Sequence, residues 1–261
     1  MSGGTIHLQR PADHVALLEI DNAPMNTMGH AMRELFLQHL GALETDLEIR
    51  AVVITGRGKA FCSGDDLKEK RDAAAAALSE NGLTSSLTGF GQLLERVESF
   101  RAPIIAAING WCVGGGLELA VCCDIRIASA EAQFVCAGVN VGLMASAYRL
   151  PRLIGVARAK AMLLTGLPYD AETAERFGLV TEVYKAEELV DSAVNLAKRI
   201  ASRAPLSVEA TKRMAGRAID LSPEDVAELQ TSELSALARS ADHAEALAAF
   251  REKREPSFKR R

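Results

Sequence analysis

The chain has 261 residues, of which 48% are hydrophobic and 25% charged, and its formal net charge is −4. This is the composition of a folded globular protein, long enough for one large core or for a core with a helical appendage. The acidic balance argues against nucleic acid as the main partner. No apolar run is long enough to span a bilayer, so no membrane partner is expected either.

The five cysteines, Cys62, Cys112, Cys122, Cys123 and Cys136, show no CxxC spacing and lie in apolar or glycine-rich surroundings. That pattern points to free buried thiols in a reducing compartment rather than to disulfides. With no histidine cluster beside them, no metal is expected. The opening MSGGTIHLQR carries neither an apolar segment nor an Arg-rich amphipathic pattern, so the expected location is the cytoplasm.

Residues 5–10 and 14–20 read as two short strands around Pro11-Ala12-Asp13. Asp21 to Met28 is a loop marked by Asn, Pro and Asn, with Thr27 placed to cap the next helix. In that helix Met28, Met32, Leu35, Phe36, His39, Leu40 and Leu43 recur near the helical period and predict a core-facing stripe. Ala51 to Thr55 reads as a buried strand running into GRGKAFCSGDDL, Gly56 to Leu67. Residues 68–88, charged and alanine-rich, read as the least ordered segment and as a flap over a ligand. A helix over about 89–99 then leads back to a strand.

The stretch that organises the chain is Ile104 to Ser129. A strand, Ile104 to Ile108, ends in the turn Asn109-Gly110. Gly114, Gly115 and Gly116 follow, then a short helical pattern, Leu117 to Cys123, and a second strand, Ile125 to Ala128. Beyond it, Glu131 to Gly142 reads as a strand followed by irregular chain. Pro151 and the 156–164 pattern mark another helix, and Asp170 is placed to cap residues 171–176. The last strand falls at 179–184. Helices at 187–202, 205–218, 223–238 and 241–252 complete the chain, with Pro205 and Pro223 near helix starts, where proline is tolerated. The fold class is α/β with an all-helical tail.

Two stretches carry chemistry. Glycines let backbone approach a ligand closely, and the first turn of a helix has N–H groups without intrahelical partners that favour negative charge. A strand, a glycine turn and a helix start can therefore hold an oxyanion, with Glu118 one turn away. The same residues also describe a plain tight turn with a solvated Glu. Likewise Gly56 to Leu67, with Asp65 and Asp66 after an apolar strand, fits either a ligand loop or a long turn whose acids cap a helix. No Gly-Lys-Ser/Thr follows the glycines, which excludes a Walker loop.

Taken together, APMNTM, GKAFCSGDDLKE, APIIAAINGWCVGGGLELAVCCDIRIAS, RLPRLIG, the run from Thr165-Gly166 through AERFGLV, and FREKREPSFKRR resemble the crotonase (enoyl-CoA hydratase/isomerase) superfamily over nearly the whole chain. The resemblance implies a spiral of ββα turns over residues 1–200, with acyl-CoA as substrate. It also implies a C-terminal helical region over 201–261 that builds a homotrimer or a homohexamer. It implies no separate cofactor, since coenzyme A is part of the substrate.

By position, the backbone N–H groups of Asp65 and Gly115 would hold the thioester oxygen, flanked by Gly64 and Gly114, and Glu118 would be the acid/base. Coenzyme A would lie along Pro24, Met25, Lys59, Ala60, Phe61, Asp66 and Leu67. Phe258 and Lys259 occupy the place of a C-terminal pair that often reaches the nucleotide, sometimes of a neighbouring subunit.

The chain departs from the family at one point. Family hydratases generally use a second glutamate, and its position here is Gly138. The segment after Gly142 is also shorter, with Met144-Ala145-Ser146-Ala147-Tyr148 in place of a Pro-Gly-Ala-Gly-Gly turn. Three outcomes follow. Glu118 does both proton transfers; or a non-carboxylate assists, with Asn140 and Tyr148 nearest; or the chemistry is isomerisation or another enolate reaction. Apart from these, the Asp65 side chain is able to project into the pocket, where the family usually has a small residue. A catalytically weak acyl-CoA-binding relative is the alternative outside catalysis. A related hydrolase is a distant third, since no Gly-x-Ser-x-Gly elbow is present.

Overall fold

The computed structural model of the protein describes residues 4–66 and 81–261, with 81–88 as backbone alone. The expected flap therefore falls in large part outside the described residues, as does Leu67.

The chain opens with a hairpin, β1 (Thr5–Ala12) and β2 (Val15–Asp21), paired antiparallel. Helix α1 (His30–Thr45) follows. From there two strands are laid down per turn. These are β3 (Ala51–Gly56) and β4 (Ala60–Cys62) before α2 (Asn81–Glu98), β5 (Ile104–Ile108) and β6 (Trp111–Val113) before α3 (Gly115–Cys122), and β7 (Ile125–Ser129) with β8 (Gln133–Val135). The first strand of each pair joins one sheet, in the order β1-β2-β3-β5-β7-β10, and the second joins another, β4-β6-β8-β9. This is the expected spiral of ββα turns. β2, β3, β5, β7 and β10 (Glu182–Tyr184) run parallel, whereas β9 (Pro168–Asp170) closes the second sheet antiparallel to β8.

Strand period explains the layering. In β3, Val52 and Ile54 join the large core beneath α1 and α2, while Ala51 and Val53 face the other side; Ile104 and Ala106 alternate with Ile105 and Ala107 in the same way. Both faces of a parallel sheet are covered, so such strands read as continuous apolar runs. The outer cover is α7 (Leu189–Ala201), whose buried face is Leu189, Ala193, Ala197 and Ala201. Three alanines at four-residue spacing let the helix axis lie close to the sheet.

Between these elements lie α4 (Arg149–Ile154), α5 (Val156–Thr165) and α6 (Ala171–Phe177), the last capped by Asp170, which accepts from the Thr173 N–H at 2.8 Å. The tail is α8 (Pro205–Arg217), α9 (Pro223–Ala238) and α10 (Ala241–Glu252), with Ser222 and Ser240 capping α9 and α10. Buried Glu209 on α8 ties the tail to the body, since it accepts from Arg101 at 3.1 Å and from Arg260 at 2.9 Å.

Several expectations change. The helix placed at 89–99 begins at Asn81, so part of the presumed flap is helical. Thr27 does not cap α1: its Oγ1 and carbonyl accept from the Asn22 side chain, and Gly29 stands at the helix start without a side-chain cap. Helix α3 starts at Gly115, two residues before the apolar pattern shows it. The short strands β6 and β9 were not expected. Gly155, at φ +82, separates α4 from α5.

Candidate active site

The site lies where the chain leaves β4 and β6 at neighbouring ends of the second sheet. Cys62 is in register with Cys112 across these strands, so the turn after each strand falls beside the other. Both turns need glycine. Gly64 has φ +80 and Gly114 φ +53, a region side chains avoid. A Cβ on Gly64 would stand 2.5 Å from the Gly115 nitrogen, and one on Gly116 only 1.9 Å from the Cys62 carbonyl oxygen. The two backbones touch because no side chain intervenes.

Helix α3 begins at this contact. Its first intrahelical bond runs from the Glu118 N–H to the Gly114 carbonyl at 3.1 Å. The N–H groups of Gly115 and Gly116 therefore precede the first intrahelical donor, the Glu118 N–H. Donors at a helix start, next to the Ser63-Gly64-Asp65 turn, can stabilise negative charge on an oxygen placed there. Glu118, in the first turn, is the carboxylate of the helix start.

Glu118 is half-buried and held: its Oε1 accepts the Ser146 backbone N–H at 2.6 Å. Three titratable groups lie within electrostatic reach of it. Arg149 on α4 carries part of its charge interaction with Glu118 and is paired with Glu98 of α2 at 2.7 Å. Cys136 and Cys122 have thiols pushed up to about 12, first by burial and in smaller part by the Glu118 charge. Both thiols are therefore neutral at physiological pH.

Arg33 of α1 reaches the other turn. Its guanidinium is almost fully buried, pairs with the Asp65 carboxylate, and donates to the Met28 carbonyl at 3.0 Å. The Met28 N–H in turn donates to the Gly64 carbonyl at 2.7 Å. The Asp65 side chain is thus engaged by α1 rather than projecting into the pocket.

The expected coenzyme A loops are joined by Asn26, which sequence reasoning treated only as a loop marker. It is fully buried at φ +53, and its Nδ2 donates to the carbonyls of Ala60 at 2.6 Å and Arg57 at 3.0 Å. The Ser63 N–H donates to the Met25 carbonyl at 3.0 Å. Pro24 and Met25 are thereby held against the chain around Lys59 and Asp66. Lys59 is exposed and Asp66 half-buried, whereas Ala60 and Phe61 are core residues of β4. Any contact of the last two with a ligand is through backbone. The polar neighbours that sequence reasoning missed, Asn26, Arg33 and Ser146, left no separate signal, because each acts through a contact made only in the fold.

The remaining expected residues have partners of their own. Gly138 opens the short 3-10 turn Val139–Val141, and its carbonyl accepts from Leu143 at 2.8 Å. Asn140 is turned away, its Nδ2 donating to the Gly166 carbonyl at 3.0 Å. Tyr148 is 63% exposed, with the Arg152 guanidinium 4.9 Å above its ring. Phe258 and Lys259 lie on the tail: the Phe258 carbonyl accepts from Arg50 at 2.9 Å. Arg50 precedes β3, so this contact is at the end of the sheet opposite the Gly56–Asp66 loop of the same chain.

Comparison with known proteins gives the family. A family described as enoyl-CoA hydratase/isomerase matches residues 10–261. The (E)-benzylidenesuccinyl-CoA hydratase of Thauera aromatica is 37% identical over 256 residues, covering 95% of this chain and 96% of that protein. The 2,3-dehydroadipyl-CoA hydratase of Escherichia coli is 32% identical, over 95% of this chain and 96% of that one. Among solved structures, an enoyl-CoA hydratase from Bacillus anthracis superposes with a TM-score of 0.93 at 32% identity, covering 98% of this chain and all of that one. The chain belongs to the enoyl-CoA hydratase/isomerase family and is an enzyme of that family. Among the described residues no helix is long and apolar enough to cross a membrane.

Proposed function

We propose that this enzyme is an acyl-CoA lyase, an enoyl-CoA hydratase that adds water reversibly to a 2-enoyl-CoA through an oxyanion-stabilised thioester enolate. The observation that carries the reading is the placement of Glu118 one turn into a helix whose start touches the Gly64-Asp65 turn. The backbone N–H groups of Asp65 and Gly115 are assigned to the thioester oxygen. One well-placed donor of this kind is worth roughly 3–4 kcal/mol.

Glu118 takes a proton from water as its oxygen bonds to the β-carbon, and the electron pair of the double bond collects on the thioester oxygen. The same carboxylic acid then delivers that proton to the α-carbon, so a single group serves as base and then acid. Coenzyme A lies along Pro24, Met25, Lys59 and Asp66, with the backbone of Ala60 and Phe61. Leu67 is assigned to the same site by position. Assembly as a homotrimer or homohexamer through the tail helices would offer Phe258 and Lys259 to a neighbouring subunit's nucleotide. The hydratase names of the Thauera and Escherichia relatives support the reaction class.

A second reading, isomerisation or another enolate reaction, is favoured by Gly138 alone. The experiment is incubation with crotonyl-CoA in heavy water, followed by mass spectrometry, with Glu118→Gln in parallel. Addition of heavy water, lost in the variant, is the expected result. Deuterium exchange without addition would favour the second reading. Binding without any change in mass would overturn simple short-chain hydration.

A further inference from the structure

The shortened segment after Gly142 fills space beside Gly138. A Cβ on Gly138 would stand 2.9 Å from the Leu143 carbonyl oxygen and 3.0 Å from the Ala145 nitrogen. The chain from Leu143 to Ala145 therefore occupies the direction a side chain at 138 would take. The next residue, Ser146, is 8% exposed and has φ +57, a left-handed conformation uncommon for serine. Both of its backbone groups are used. The N–H donates to Glu118 at 2.6 Å, and the carbonyl accepts from the Leu150 N–H at 3.1 Å in the first turn of α4.

We infer that Ser146 is the positioning residue of Glu118: its left-handed backbone directs an N–H at the carboxylate, fixing the orientation of the one acid/base in the site. The inference rests on the reading of Glu118 as that acid/base. A charge-assisted hydrogen bond of this kind is short and directional, so it holds a carboxylate in one orientation. The surrounding charges leave this contact to act. Arg149 is shared with Glu98, and Cys122 and Cys136 are neutral. The assignment is to the backbone, not to the hydroxyl, and that separates it from a general requirement for serine.

Two substitutions test it. Ser146→Val places a β-branched residue where left-handed backbone is strongly disfavoured, and its kcat falls about tenfold at unchanged KM. Ser146→Gly keeps the N–H and suits φ +57, so its kcat lies well above that of Ser146→Val.

A measurement on the unsubstituted protein needs no turnover. The Ser146 amide resonance in a 15N–1H spectrum titrates with a single carboxylate, and the titration is absent in Glu118→Gln. A Ser146 amide that does not titrate, or a folded Ser146→Val with an unchanged kcat, overturns the inference. If the parent converts crotonyl-CoA and Glu118→Gln does not, such a result removes Ser146 alone. If the parent is inactive while the amide titrates, the positioning contact stands and the hydratase reading falls.

Discussion

Removing the Asp65 carboxylate isolates a charge that the fold has buried. The Arg33 and Asp65 side chains are 6% and 9% exposed, and the guanidinium also donates to the Met28 carbonyl at 3.0 Å. Asp65→Ala leaves the buried arginine without this carboxylate. Breaking a buried pair from one side costs about 3–5 kcal/mol, because the remaining charge stays desolvated and uncompensated. Replacing both partners by apolar residues removes that charge as well, so Arg33→Leu/Asp65→Ala should lie within about 1–2 kcal/mol of the parent.

The assay is urea unfolding at one protein concentration, followed by fluorescence and circular dichroism together. The single variant is expected to unfold at clearly lower urea and the double variant to recover most of the difference. A single variant within about 1 kcal/mol of the parent, or a double variant no better than the single, would refute the argument that the pair is an electrostatically closed unit. The pair also tethers the Ser63-Gly64-Asp65 turn, to which the thioester oxygen is assigned in the proposed reading, to α1 through Met28 and Gly64. For that reason Asp65→Ala should lower kcat even though it keeps the backbone N–H.

Gly138→Glu should not raise hydration. The backbone at 138 is ordinary helical and accepts glutamate, but the Leu143 carbonyl and the Ala145 N–H crowd the Cβ. A stability loss of about 1–3 kcal/mol without a gain in kcat is expected, measured by thermal unfolding and crotonyl-CoA turnover. A faster enzyme would mean that the segment yields easily. The thiols should be unreactive: burial pushes Cys62, Cys122 and Cys136 up to about 12, and raises Cys112 and Cys123 as well. An aromatic disulfide reagent at about pH 8 should label none of the five in the folded protein and all of them in guanidinium. Rapid labelling of the native protein would contradict the packing.

Local chemistry made much of this protein legible. Ile104 to Ile108 is a strand because it is a short apolar run bounded by turn residues, and its limits agree with the structure. The helices Pro223–Ala238 and Ala241–Glu252 also begin and end where their caps, prolines and spacing place them. Such features depend on neighbours a few residues apart, and periodicity reports them directly. The glycine triplet, with Glu118 behind it, marked the helix start because only residues without a Cβ permit that backbone. What sequence could not resolve is which of two uses each glycine turn has, since one turn alone is equally a ligand loop or a plain corner.

Tertiary structure brings the two turns together. The register of β4 against β6 sets Gly64 against Gly115, although they lie far apart in the chain. Asn140 and Tyr148 are the nearest non-carboxylate candidates to assist Glu118 by sequence, yet the fold gives one to Gly166 and leaves the other exposed under Arg152. Conversely, Arg33, Asn26 and Ser146 look like ordinary helix and loop residues until their partners arrive from other turns of the spiral. The physical reason is that a side chain's pattern records which face it buries, whereas its hydrogen-bond partner is set by sheet register and loop path. Those are properties of contacts between distant segments, and no local window contains them.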